Sequence, residues 1–399
     1  MNKSKLWTKE FITTAVVNFF AALNFYLLMI IISEFAMKKF DSSPSEAGFT
    51  ASIFIIGALI ARVFVGKWMM SAGYKKILCV GVIAGLIMTI AYFAVNNISL
   101  LLVVRFLHGA SFGITSTATA TIVSDIVPKE RRGEGIGYFS LSQIMATAIG
   151  PFIGMFLSQH GSYNLIFTAC TIASLIALIM LPFLSLRKNK VTEEQNSGVQ
   201  RFSLSNFVEP KAIPISIVCS LVYMCYSSIV SFLTVYSKEI NLVDAASFFF
   251  IVYAIVVLFS RPTVGKMFDM KGENTIMYPA ILTFGIGLLL LSYSYHGYVL
   301  LFSAVLIGLG FGAIGSSTQT IAVKVASPKR LGLANSTYYM FSDIGMGVGP
   351  IASGFVISYI GYRGMYTVVA IIALACLALY YLMHGKKVVN IKEENSDAV

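Results

Sequence analysis

Charge is what this sequence has least of. Only 12% of its 399 residues are Asp, Glu, Lys or Arg, about half the share of an ordinary soluble domain. A soluble chain of 43.4 kDa needs that charge to cover its surface. A mean hydropathy of +0.80 therefore excludes a soluble enzyme, a disordered chain and a nucleic-acid-binding domain. The five cysteines (Cys79, Cys170, Cys219, Cys225 and Cys376) all fall inside apolar runs without metal-ligand spacing. Their odd count says nothing of redox compartment, and no metal is expected. No G-x4-G-K-[ST] motif is present, so ATP-driven transport by this chain alone is not expected. Gly310-Phe-Gly312-Ala-Ile-Gly315 spells G-x-G-x-x-G, but no strand precedes it, and dinucleotide binding requires that context. Lys3, Lys5 and Lys9 before an apolar stretch resemble the start of a signal peptide. The stretch 11–33 is too long for a cleaved segment and lacks an A-x-A site, so it is read as a retained membrane helix.

What the chain has instead is long apolar runs. A helix crossing a bilayer needs about 20 such residues. Parsing at the polar breaks gives twelve spans: 11–33, 48–66, 77–95, 99–122, 135–158 and 164–185, then 212–236, 245–264, 276–294, 299–322, 334–358 and 364–384. The expected fold is an all-α membrane protein of two six-helix bundles, 1–186 and 212–399, joined by a flexible cytoplasmic linker over 187–211, with a short solvated tail. The Lys/Arg distribution sets the orientation. With both termini in the cytoplasm, only Lys38, Lys39, Lys238 and Arg363 lie outside, and Arg105 lies within a span.

The halves repeat. A shift of 199 residues places Arg62-Val-Phe-Val-Gly66-Lys67 on Arg261-Pro-Thr-Val-Gly265-Lys266, and Gly109-x-x-Phe112-Gly113 on Gly308-x-x-Phe311-Gly312. It also places Gly150-Pro151 on Gly349-Pro350. Parallel six-helix repeats are a transporter design in which two bundles rock around a site near the membrane midplane.

These residues resemble the major facilitator superfamily and, within it, the twelve-helix drug:proton antiporters, over the whole chain. Gly66-Lys-Trp-Met-Met70-Ser71-Ala-Gly73-Tyr-Lys75-Lys76 is similar to the family's loop G-x3-D-[RK]-x-G-[RK]-[RK]. Arg105-x-x-His108-Gly109 is similar to R-x-x-Q-G, and Ala146-x3-Gly150-Pro151-x-x-Gly154 to the antiporter motif G-x3-G-P-x-x-G-G. In the family the loop carboxylate faces a helix N-terminus and helps latch the cytoplasmic side. Here that position is Met70, followed by Ser71, while the second copy retains Asp269. The resemblance implies that the first, fourth, seventh and tenth spans line the substrate cavity. They offer Asn18, Asn24 and Tyr26; Tyr223, Tyr226, Ser227 and Ser231; and Ser316, Ser317 and Gln319.

Charge within a bilayer costs about 2.5–3.5 kcal/mol per residue on insertion scales. Arg105, His108 and Asp343 lie well inside spans and are the proton-coupling candidates. Arg105 either repels a proton from a carboxylate or binds an anionic group; otherwise it bonds backbone carbonyls. Asp343 is the only carboxylate in a span interior, and low dielectric favours its exchange of a proton near neutrality. The rival role is as a hydrogen-bonded tie between helices. His108 titrates in the same range or is structural. Arg62 and Arg261, at span ends, read equally as snorkelling anchors or as a gate.

Gly150-Pro151 and Gly349-Pro350 are expected to kink the fifth and eleventh spans, with small neighbours allowing close helix approach. Together with Gly66, Gly73 and Asp269 they are candidates for the conformational switch. The reading that follows is an exporter of small amphipathic or hydrophobic compounds in exchange for protons. It uses no cofactor beyond the proton gradient and acts as a monomer in the cytoplasmic membrane, without nucleic-acid partners. One proton moved through 100 mV supplies about 2.3 kcal/mol, roughly a 50-fold gradient. The alternatives are an exporter of one metabolite and a non-transporting receptor or lipid-handling protein of the same fold.

Overall fold

The fold was analysed in a computed structural model that describes residues 6–42, 44–160, 162–185 and 207–386. Most of the expected linker and the tail beyond residue 386 lie outside the described residues. The chain forms α1 (Lys9–Phe40), α2 (Pro44–Ala72), α3 (Tyr74–Ala91), α4 (Ile98–Ile126), α5 (Arg132–His160) and α6 (Tyr163–Met180). It continues with α7 (Ile213–Glu239), the short α8 (Val243–Ser247), α9 (Phe249–Lys271), α10 (Glu273–Ser292), α11 (Gly297–Lys324) and α12 (Leu331–Tyr380). No strand occurs among the described residues. Helix starts follow ordinary capping chemistry: Thr8 accepts from the Phe11 amide at 3.2 Å and Asn97 from that of Leu100 at 2.8 Å.

Ten stretches among the described residues are long and apolar enough to cross a membrane, which makes this a multi-pass membrane protein. The last runs over Pro328–Gly385, 58 residues, about twice what one crossing needs. It breaks at Gly361, where φ is 70°, so α12 consists of two helices that meet at a kink, the eleventh and twelfth spans. Gly361 falls in the expected gap between the spans 334–358 and 364–384, and Pro350 lies within the helix before it. Pro151 likewise lies within α5.

The helices expose apolar rather than polar faces. On α3, Val80, Ile83, Ile87 and Ile90 form an outward stripe at helical spacing, a surface suited to acyl chains. Buried polar side chains turn inward instead, as in the Thr/Ser-rich half of α4 from Thr115 to Ser124.

Contacts divide the chain into two units. The first comprises 1–129, 139–210 and 326–340; the second comprises 130–138, 211–325 and 341–399. Each unit thus includes one short helix start from the other sequence half. In the first unit α2 and α4 touch backbone to backbone. A Cβ at Gly57 would stand 2.1 Å from the Phe106 carbonyl oxygen, and one at Gly109 would stand 1.9 Å from that of Phe54. In the second unit Gly308 meets the Tyr253 carbonyl at 3.2 Å and Gly312 meets Val257. Phe54 and Tyr253 are themselves 199 residues apart, so the repeat extends to the packing.

Candidate functional site

In the first unit, α4 carries Arg105 and His108 on one face, and the structure brings them together against Phe54 of α2. Arg105 is fully buried; its guanidinium lies 4.6 Å from the Phe54 ring centre, and its Nε donates to the Thr50 carbonyl at 2.9 Å. Its two terminal nitrogens have no hydrogen-bond partner among the described residues. His108 packs edge-on to Phe54, and its Nδ1 is 3.1 Å from the Tyr92 hydroxyl. No carboxylate pairs with either group among the described residues, so a protonated imidazole there would be a second buried cation beside Arg105.

Next to His108 is a cavity of about 30 Å³, lined by Asn24, Ser111, Thr115 and Ser174 among others, with room for about two waters. Asn24 donates to Ser174 at 2.7 Å, while its carbonyl oxygen has no partner among the described residues. Asn18 is engaged at both ends, donating to Ser142 at 2.8 Å and accepting from Thr119 at 3.0 Å. Tyr26 is half-buried and accepts from Gln143 Nε2 at 3.3 Å.

The second unit holds a buried aromatic cluster. Tyr226 lies flat on Phe311, with ring centres 3.8 Å apart and planes 7° from parallel. Tyr223 meets Phe311 at 5.0 Å, and Tyr253 meets Tyr226 at 5.7 Å. A side chain at Gly315 would stand 3.4 Å from the Tyr223 hydroxyl and 3.9 Å from Arg261 Nη2, so that glycine leaves room between them. The nearby hydroxyls are less available. Ser227 donates to the Met224 carbonyl at 2.8 Å and Ser316 to that of Ala313 at 3.3 Å. Ser317 and Gln319 are buried, and Ser231 is exposed. Asp343 is half-buried on α12 and belongs to this unit, not to the unit of Arg105 and His108.

The switch candidates fall into two matched sets. Asp269, near the end of α9, accepts from the amides of Gly133 and Glu134 at 2.8 and 2.9 Å. It thereby caps the start of α5, where free N–H groups and the helix dipole favour an anion. Arg131 pairs with Glu134 at 2.8 Å beside it. The first unit repeats this packing without the carboxylate. A Cβ at Gly66 would stand 3.1 Å from Leu333 Cα, and one at Gly332 would stand 3.0 Å from Met69 Cε. Gly73 and Gly272, again 199 apart, have φ of 86° and 88°, a conformation that only glycine adopts cheaply. Gly150 and Gly154 admit α1, meeting Tyr26 and the Leu27 carbonyl. Gly345 and Gly349 admit α7, meeting the carbonyls of Ser220 and Met224.

Arg62 and Arg261 are not snorkelling anchors, because both side chains are buried. Arg62 lies 4.8 Å over the Tyr339 ring, donates to the Tyr339 carbonyl at 3.3 Å and to Ser116 at 3.2 Å, and its own carbonyl accepts from Ser336. Asn335, also on α12, donates to Ser124 of α4 at 3.1 Å. Gln143, which donates to Tyr26, and Phe25, which meets Tyr26 edge-on and stacks with Phe54 and Phe112, had no signal of their own as site residues in the sequence. Only their shared helical face with named residues could have signalled them.

A multi-pass helical bundle with duplicated glycine contacts and few charges within its spans has the architecture of a membrane transporter rather than an enzyme. The chain belongs to the Major Facilitator Superfamily, whose family model matches residues 14–297 and 243–397. It is 25% identical to an uncharacterised MFS-type transporter of Methanocaldococcus jannaschii over 387 residues, covering 94% of this chain and 96% of the relative. It is 24% identical to the multidrug resistance protein MdtG of Escherichia fergusonii over 392 residues, covering 95% and 94%. The crystal structure of the human organic anion transporter MFSD10 has the same fold, with a TM-score of 0.76 at 13% identity over 93% of this chain and 98% of that one.

Proposed function

We propose that this transporter exports small amphipathic or hydrophobic compounds in exchange for protons, by alternating access of two six-helix halves, 1–186 and 212–399. It would act as a monomer in the cytoplasmic membrane with both termini in the cytoplasm, driven by the proton gradient alone. The observation that carries the substrate class is the cluster of Tyr223, Tyr226 and Phe311, whose rings pack on one another between α7 and α11. Flat aromatic faces bind apolar and aromatic solutes by stacking, with little demand on hydrogen-bond geometry. The likeness to multidrug resistance proteins supports the same reading.

For the proton, Asp343 is the favoured carrier. It is half-buried on a membrane helix, whereas His108 is enclosed by Tyr92, Phe54 and a neighbouring guanidinium. Arg105 would then act as the fixed positive charge of the first unit. Everted vesicles loaded with chemically diverse fluorescent dyes and given an imposed pH gradient test this reading. Gradient-dependent uptake of several unrelated dyes is expected. Uptake of none, or uptake indifferent to the gradient, would refute it.

A further inference from the structure

The two repeats hold their exchanged helix starts by different chemistry. In the second unit Asp269 caps the amides of Gly133 and Glu134. The shift of 199 that relates the halves turns Asp269 into Met70, and those amides into the amides of Gly332 and Leu333. The surrounding backbone agrees. A Cβ at Gly265 would stand 2.7 Å from Glu134 Cα, and one at its counterpart Gly66 would stand 3.1 Å from Leu333 Cα. The first unit therefore has the seat for a carboxylate at position 70 but fills that position with methionine.

A carboxylate reaches this helix start from elsewhere. Glu209, at the end of the segment between the halves, is buried and pairs with Arg330, one residue before α12. Arg330 Nη2 also donates to the Val208 carbonyl at 3.2 Å, and the Glu209 amide donates to Thr337 Oγ1 at 2.9 Å. Phe207 continues the strap onto α2, edge-on to Phe64 and beneath Lys67. Residues 207–210 are thus pinned to the first turns of α12 and are not free linker. All of these groups belong to the first unit, while α12 from residue 341 onward is counted with the second.

We propose that Glu209 is a positioning residue of the transport cycle, supplying from the linker the carboxylate that the loop after α2 lacks. The proposal rests on the transport reading above. One helix start is held by a carboxylate on its amides, the other by a carboxylate on an arginine beside it. Glu209 is buried and Arg330 is 32% exposed on its side chain, so removing the carboxylate breaks a partly buried pair and loosens the helix start it holds. The cost should fall on local opening of 331–337 rather than on the whole bundle.

Amide hydrogen exchange on the full-length protein in lipid nanodiscs tests this without any substrate. Glu209→Ala should speed exchange over 331–337 by about tenfold or more and leave α3 and α4 unchanged. Adding Met70→Asp to that variant should return the rate to within about twofold, since position 70 corresponds to Asp269 and the new carboxylate would serve the amides of Gly332 and Leu333. Loss of a merely structural contact would not be restored from a different helix. If Glu209→Ala fails to fold, the exchanged pair Glu209→Arg with Arg330→Glu should fold with near-wild-type exchange. Unchanged exchange in Glu209→Ala, no rescue by Met70→Asp, or an unfolded exchanged pair would each overturn the proposal. A protein that passes these tests but moves no dye would refute the transport reading and leave the carboxylate assignment intact.

Discussion

Tyr226 and Phe311 are stacked face to face, on α7 and α11, with ring centres 3.8 Å apart. A parallel aromatic pair is a surface onto which a third flat ring can slide, and its loss is measurable. Tyr226→Leu keeps the volume apolar but removes the face. It should weaken binding of an aromatic dye such as ethidium by about three- to tenfold, the worth of an aromatic pair beyond its buried area. Fluorescence titration of the purified variant gives the affinity directly.

Asp343→Asn should abolish gradient-driven dye transport while the protein remains folded, because the amide cannot carry the proton. His108→Gln should leave transport within about twofold of wild type: glutamine can still accept from the Tyr92 hydroxyl, and among the described residues no carboxylate pairs with the ring. Pairing the two variants in a pH-jump vesicle assay separates the candidates. Loss in His108→Gln with retention in Asp343→Asn would reverse the assignment.

Asp269→Ala removes the acceptor for two helix-start amides and one favourable charge at a helix N-terminus. It should lower stability by about 1–2 kcal/mol, read as a drop in melting temperature in detergent. Asp269→Asn, which keeps one acceptor oxygen, should lose about half as much.

Gly109→Ala should be among the costliest small changes in the chain. Its Cβ would fall 1.9 Å from the Phe54 carbonyl oxygen, backbone that cannot rotate away, so about 3 kcal/mol of overpacking is expected. Gly347→Ala is the control. Nothing lies within 4 Å of that position, and alanine should stabilise the helix by about 0.5 kcal/mol. Thermal unfolding of both variants in one detergent checks the contrast.

Hydropathy and Lys/Arg placement made the spans legible because membrane crossing imposes length and polarity directly on the chain. The 199-residue repeat was legible because glycines mark backbone contact, and the same contacts recur at Gly109 and Gly308. Partners separated by more than two hundred residues were not legible: nothing in Arg62 announces Tyr339, and nothing in Asn335 announces Ser124. Polar position misled the reading of Glu209, which lies in a hydrophilic stretch yet is buried against Arg330. The break between the last two spans was legible, because Gly361, a glycine with positive φ, falls in the gap between 334–358 and 364–384.

The turns at Gly73 and Gly272 carry a chiral consequence. Both adopt positive φ, and around Gly73 no atom lies within 4 Å of where a side chain would begin. An L-alanine there would suffer from handedness alone, at about 1–2 kcal/mol. Its mirror-image isomer, introduced by semisynthesis, should fit without penalty and stiffen the bend that starts α3.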